Sequence, residues 1–199
     1  MYKIGPTLGI LPALLMFPAF GEPYMQNSGT KTESELLYEF LSVDKLHPLE
    51  LEDKSKTASL ESKNELVRRL AHMFEPAPPG RVLARLLYLL TPQNRADMAT
   101  VFLLNLRAKE AESRVSSLYG LQKLEYPNLD GLALAALRDD ADIVLAAACQ
   151  ILLPKSKHDA TLWKLLQAVY AAHKGDSAFH MSVSLLEAHG VTNPLPPAR

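Results

Sequence analysis

The sequence predicts an all-α protein. From Thr32 onward, apolar residues recur at the three- and four-residue spacing of amphipathic helices. Short breaks that carry Pro, Asn, Asp or Gly separate these segments, and no stretch shows the apolar–polar alternation of a half-buried strand. Such short breaks place consecutive helices antiparallel to each other. The predicted fold is therefore a series of antiparallel helix pairs.

Residues 1–21 have the pattern of a secretory signal peptide. Lys3 supplies a short basic start, residues 8–20 are largely apolar, and Ala19 and Gly21 are the small residues expected before a cleavage site. The apolar stretch contains two prolines and is shorter than the roughly 20 residues that a bilayer span requires. We predict cleavage after Gly21, export to the periplasm or the cell exterior, and no stable membrane span. The alternatives are an uncleaved amphiphilic anchor and a hydrophobic first helix.

A polar, flexible leader is expected at residues 22–31, followed by N-terminal helices at residues 32–75. The first helix has the apolar stripe Leu36, Leu37, Phe40 and Leu41. Thr32 followed by Glu35 is the pattern of a capping box, in which each residue's side chain accepts a hydrogen bond from the other's backbone. We expect this helix to end near Val43.

The rest of the chain alternates between helix and break. A loop is predicted at residues 44–53, a second helix at residues 57–74, and a rigid corner at the Pro-rich residues 76–80. Further helices are predicted at residues 80–90, 93–108, 111–124, 128–138, 140–153, 159–173 and 177–189. The Pro-rich residues 191–199 predict a disordered tail.

The helix pairs within residues 76–190 resemble one another. The dipeptides Arg81–Val82, Arg114–Val115 and Ile143–Val144 each precede apolar residues at similar offsets. The spacing of the three valines is close to the length of a two-helix repeat unit. We therefore expect internal repetition in this region.

Two segments of this region resemble HEAT repeats, which belong to the armadillo-like helical proteins. Arg114–Leu124 resembles the first helix of a HEAT unit, and Leu129–Val144 resembles its second helix and Asp-containing turn. The resemblance covers about residues 80–189. It implies a short solenoid, in which stacked helix pairs bury apolar faces that one pair cannot cover. A compact irregular helical bundle is the alternative architecture.

The charge of the chain favours no particular class of partner. The formal net charge is −1, whereas nucleic-acid or membrane-surface binding generally requires a basic excess. Residues 31–67 hold five Lys and nine acidic residues, and residues 68–114 hold eight Lys and Arg and four acidic residues. Two solvated surfaces of opposite sign are expected, with complementary helices or a partner's binding site as the alternative.

The single cysteine, Cys149, allows no intramolecular disulfide and no thiolate metal cluster. It lies among alanines, where a small apolar side chain suits close helix packing, and we predict that it fills the core. A disulfide-free exported chain fits a bacterial periplasm or cell surface better than a eukaryotic secreted domain.

No motif predicts catalytic, cofactor-binding or metal-binding residues. The histidines are His47, His72, His158, His173, His180 and His189. The pair with the spacing closest to that of metal ligands, at positions 173 and 180, is separated by a turn and shares no helix face. The predicted role of Asp139, Asp140 and Asp142 is to cap the next helix rather than to bind a cation. Trp163 is predicted in the core with Leu162, Leu165, Leu166 and Val169.

These features favour an exported, non-enzymatic helical-repeat module that binds a protein or peptide partner and serves as a scaffold. The functional step rests on the HEAT resemblance, because proteins of that family act as scaffolds and adaptors. The alternative is a small enzyme or enzyme-accessory protein that uses a groove between helices. Nucleic-acid binding through the basic residues 68–114 is a third possibility, and it conflicts with export.

Overall fold

The computed structural model describes residues 30–73 and 76–173 of the 199-residue chain. The chain divides into two units, residues 1–30 and residues 31–199, and the fold below belongs to the second. Every regular element in the described ranges is a helix, so the predicted all-α class is confirmed. The predicted signal peptide, nearly all of the leader, the helix at residues 177–189 and the Pro-rich tail lie outside the described residues.

The described helices follow the chain in the order α1 (Glu33–Ser42), α2 (Pro48–Thr57), α3 (Leu60–Ala71), α4 (Gly80–Leu86), α5 (Arg95–Asn105), α6 (Ala111–Lys123), α7 (Leu129–Ala136), α8 (Asp142–Ser156) and α9 (Ala160–Ala172). A short 3-10 helix, Leu87–Leu89, continues α4.

The predicted capping box of α1 is confirmed. Thr32 Oγ1 accepts a hydrogen bond from Glu35 N at 3.3 Å, and Glu35 Oε2 accepts one from Thr32 N at 2.9 Å. Two of the N–H groups that a helix start leaves without partners are thereby satisfied. The helix ends at Ser42, one residue before the predicted end near Val43.

The predicted loop at residues 44–53 is wrong, because α2 begins inside it. His47 caps the helix: its Nδ1 accepts a hydrogen bond from Leu49 N at 3.2 Å, and its own N–H donates to Glu50 Oε2 at 2.6 Å. Pro48 stands at the first helical position, where its fixed φ favours the helix and its missing N–H costs nothing. α2 buries only Leu51, so it lacks the apolar stripe by which a helix is recognised in a sequence.

Other helix boundaries also differ from the prediction, and α5, for example, spans Arg95–Asn105 rather than residues 93–108. α3 begins at Leu60 rather than Thr57, because Ser59 Oγ caps it by accepting from Ser62 N at 3.1 Å. α8 continues past the predicted end at residue 153 and contains Pro154. Pro154 has no N–H and so cannot donate the helical hydrogen bond to the carbonyl four residues before it.

The packing of the helices centres on α6 and α8. Helix α6 packs against α4, α5, α7 and α8, and α8 packs against α6, α7 and α9. The N-terminal helices join this assembly through contacts of α1 with α3 and α4, and of α3 with α5. The contacts α4–α6 and α6–α8 join alternate helices, as stacked helix pairs require. The solenoid arrangement itself stays a prediction.

Two apolar clusters form the core, and α6 contributes to both. The first contains buried side chains from α1 to α6, among them Phe102, and the second contains side chains mainly from α6 and α8. Every residue of α8 from Val144 to Leu153 is buried, including Cys149, whose predicted core position is confirmed. Burial raises the pKa of the Cys149 thiol to about 12, so this thiol stays protonated at neutral pH.

Glycine permits the close contact between α5 and α6. A Cβ atom added at Gly120 would lie 2.5 Å from the ring of Phe102, which is fully buried. Gly80, at the start of α4, similarly faces the backbone of Glu112 on α6, where an added Cβ would lie 2.7 Å away. At both positions the available space, rather than helix propensity, therefore favours glycine.

We expect Gly120→Ala to lower the free energy of unfolding by about 1 to 3 kcal/mol, because the Phe102 ring has no room to move. Gly131→Ala on the exposed side of α7 is the matched control. Its nearest neighbour is the end of the Asn128 side chain, so the better helix propensity of Ala should add up to about 1 kcal/mol. Urea unfolding followed by circular dichroism measures both, and equal stability of the two variants would contradict this account.

Candidate interaction groove

Most of the basic residues between positions 68 and 114 make hydrogen bonds or ion pairs within the protein. Arg85 donates to the main-chain oxygens of Leu41 at 2.7 Å and Asp44 at 3.3 Å, and Arg81 donates to that of Ser42 at 3.1 Å. These oxygens lie at or just beyond the end of α1, where backbone carbonyls lack helical partners. Both guanidinium groups therefore act as caps for α1.

Ion pairs also join the acidic and basic segments across helices. Arg69 lies 3.6 Å from Glu35, and Arg81 lies 3.3 Å from Asp44. This geometry favours the complementary-helix interpretation of the charge pattern over a positive surface open to nucleic acid. Both pairs are partly exposed, so each is worth at most about 1 kcal/mol.

Arg114 makes the most extensive of these contacts. Its Nε and Nη2 donate to the two carboxylate oxygens of Asp139 at 2.8 and 2.7 Å, and its Nη1 donates to the carbonyls of Ala108 and Lys109, each at 2.9 Å. Nη2 also lies 3.2 Å from Asp140. The side chains of Arg114 and Asp139 are only 13% and 15% exposed. One guanidinium thus joins the segment after α5, helix α6 and the α7–α8 turn.

The structure corrects the predicted capping role of the acidic turn. The N-cap residue of α8 is Ala141, so the helix has no capping hydrogen bond from the side chain of its N-cap residue. Asp139 instead binds Arg114 and accepts a hydrogen bond from Ala141 N at 2.9 Å. Asp142 lies in the first turn of α8, where a carboxylate interacts favourably with the helix dipole.

Opposing effects act on the pKa of Asp139. Burial raises this pKa, whereas the hydrogen bonds from Arg114 and Ala141 and the positive charge of Arg114 lower it by more, so it lies below its usual value. The hydrogen bond with Asp139 raises the pKa of Arg114. Both groups are therefore ionised at neutral pH.

An open groove lies between this turn and the second half of α9. We call it the α9 groove; its volume is about 560 Å³. The described residues that line it are Leu137, Arg138, Asp139, Asp140, Asp142, Leu145, Ala168, Val169, Ala172 and His173. Its aliphatic lining residues form its floor, and the described residues of its rim carry three carboxylates, one guanidinium and one imidazole. At the end of the groove, His173 Nδ1 lies 4.0 Å from Asp142 Oδ1.

The α9 helix is less buried than predicted. Leu166 is fully buried, but Trp163, Leu162 and Val169 are only half-buried and Leu165 is 43% exposed. The prediction of a joint core position for these residues was therefore wrong for Leu165. The physical reason is that α9 packs on α8 along one side, whereas its apolar residues cover a wider arc.

The exposed side of α9 extends the floor of the groove. Leu165, Ala168 and Ala172 are exposed and stand at spacings of three and four residues, which places them on one face of the helix. We call these three residues the α9 stripe. Sequence patterns alone could not reveal it, because an apolar stripe at helical spacing is more often buried than exposed.

Other polar residues occupy structural positions. The Tyr119 hydroxyl donates to Gln150 Oε1 at 2.7 Å between α6 and α8, and Gln150 Nε2 has no acceptor among the described residues. Burial raises the pKa of the Tyr119 phenol, which keeps it a donor. The Nδ1 of His72 lies 2.8 Å from the Arg68 carbonyl, and His158 is exposed. His180 and His189 lie outside the described residues.

The chain matches no family model, no curated protein and no solved structure. The HEAT resemblance and the internal repeat therefore stay predictions. No three His, Cys, Asp or Glu residues within the described ranges meet as ligands of a metal ion would. None of the helices described is both long and apolar enough to cross a bilayer. The structure defines an all-α protein with an open groove that has an aliphatic floor and an acidic rim.

We expect Asp139→Asn to lower the free energy of unfolding by about 2 to 3 kcal/mol at pH 7, because Arg114 stays mostly buried without its main counter-charge. The folded-state pKa of Asp139 is depressed, so its contribution is complete above the unfolded-chain value near 3.9 and is lost as the pH falls through the folded-state value. Urea unfolding of both proteins between pH 7 and pH 3 should show the difference shrinking below about pH 4.

Asp130→Asn is the control for this experiment. Asp130 pairs with Lys155, but both side chains are about half exposed, so its loss should cost less than about 1 kcal/mol. A difference for Asp139→Asn that stays constant down to pH 3 would show that the loss does not arise from the ion pair.

Proposed function

We propose that this protein is an exported, non-enzymatic helical module that binds a protein or peptide partner in the α9 groove. The observation that carries the proposal is the exposed α9 stripe beside the groove, bordered by charged side chains. Exposed apolar surface rimmed by polar groups is typical of interaction sites, because its hydration is unfavourable unless a partner covers it.

The shape of the surface also supports binding of a chain segment. Ala168 and Ala172 carry only a methyl group, so the backbone of a partner can approach α9 closely. Leu165 and Val169 are four residues apart, so their larger side chains form a row along one side of this low region. A peptide or helix fits such an elongated, open surface better than a small molecule, which usually binds in an enclosed cavity.

The alternative of an enzyme has less support from the same groove. His173 and Asp142 could together serve as an acid and a base, but their closest atoms are 4.0 Å apart. The described residues that line the groove include no hydroxyl, thiol or amine that could act as a nucleophile. A buried convergent set of polar groups would favour catalysis, whereas this rim is open to solvent.

The export part of the proposal depends on the pattern of residues 1–21. We expect the protein in fractionated source cells to lie outside the cytoplasm and to begin at Glu22, because a signal peptidase would cut after Gly21. Mass spectrometry of the intact protein measures the N-terminal residue in each fraction. An intact Met1 in the cytoplasm would exclude export and make residues 8–20 part of the working protein.

The binding part is tested by photocrosslinking in living source cells. A benzophenone amino acid placed at Leu165 should form adducts with one defined partner, because this residue lies on the proposed contact surface. The same probe at Leu60, an exposed leucine of α3, is the matched control.

Ala168→Glu should remove the Leu165 adduct, because it introduces a charge into the apolar surface, and circular dichroism should show unchanged helix content. Equal labelling from Leu165 and Leu60, or an adduct that survives Ala168→Glu, would contradict binding at this surface.

A further inference from the structure

We draw no further inference here: the strongest candidate, the exposed α9 stripe of Leu165, Ala168 and Ala172, is an apolar helix face, and nothing in the described residues shows what covers it.

Discussion

The contacts of Arg114 join the segment after α5 and the start of α6 to the α7–α8 turn, where Asp139 lies 25 residues further along the chain. Arg114 itself belongs to α6. Its guanidinium donates hydrogen bonds to backbone carbonyls after α5 and holds the α7–α8 turn through two hydrogen bonds to Asp139. Because both charges are mostly buried, neither could remain there without the other. The position of that turn determines where α8 begins, and the rim of the α9 groove lies on the same turn.

Helix α6 is the element around which the others pack. It contributes side chains to both apolar clusters, and Gly120 gives the Phe102 ring of α5 the space it occupies. Ser113 and Ser117 are buried on the same helix and donate hydrogen bonds to main-chain oxygens. Small residues therefore allow the helices to pack closely, and the hydroxyl groups of the two serines form hydrogen bonds within the protein.

The candidate site exists because α9 is covered by the described neighbouring helices on fewer sides than α6 and α8 are. Helices α6 and α8 are covered on several sides, whereas the apolar residues of α9 extend beyond its contact with α8. Arg114 holds the acidic turn beside α9 through Asp139, and Asp140 of the same turn lies 3.2 Å from Arg114 with its side chain 96% exposed. Exposed aliphatic side chains of α9 and a charged rim thus lie next to each other for separate structural reasons.

The sequence by itself determined the helical class, the capping box of α1, the core position of Cys149 and the approximate span of most helices. These depend on local hydrogen bonds and on the spacing of apolar residues, both of which are visible in a single sequence. It missed α2, because a short polar helix held by His47, Pro48 and Glu50 shows no apolar stripe. Only the tertiary structure decided that Asp139 pairs with Arg114 and that Leu165 faces solvent, because a one-dimensional pattern does not specify which neighbour covers a given face.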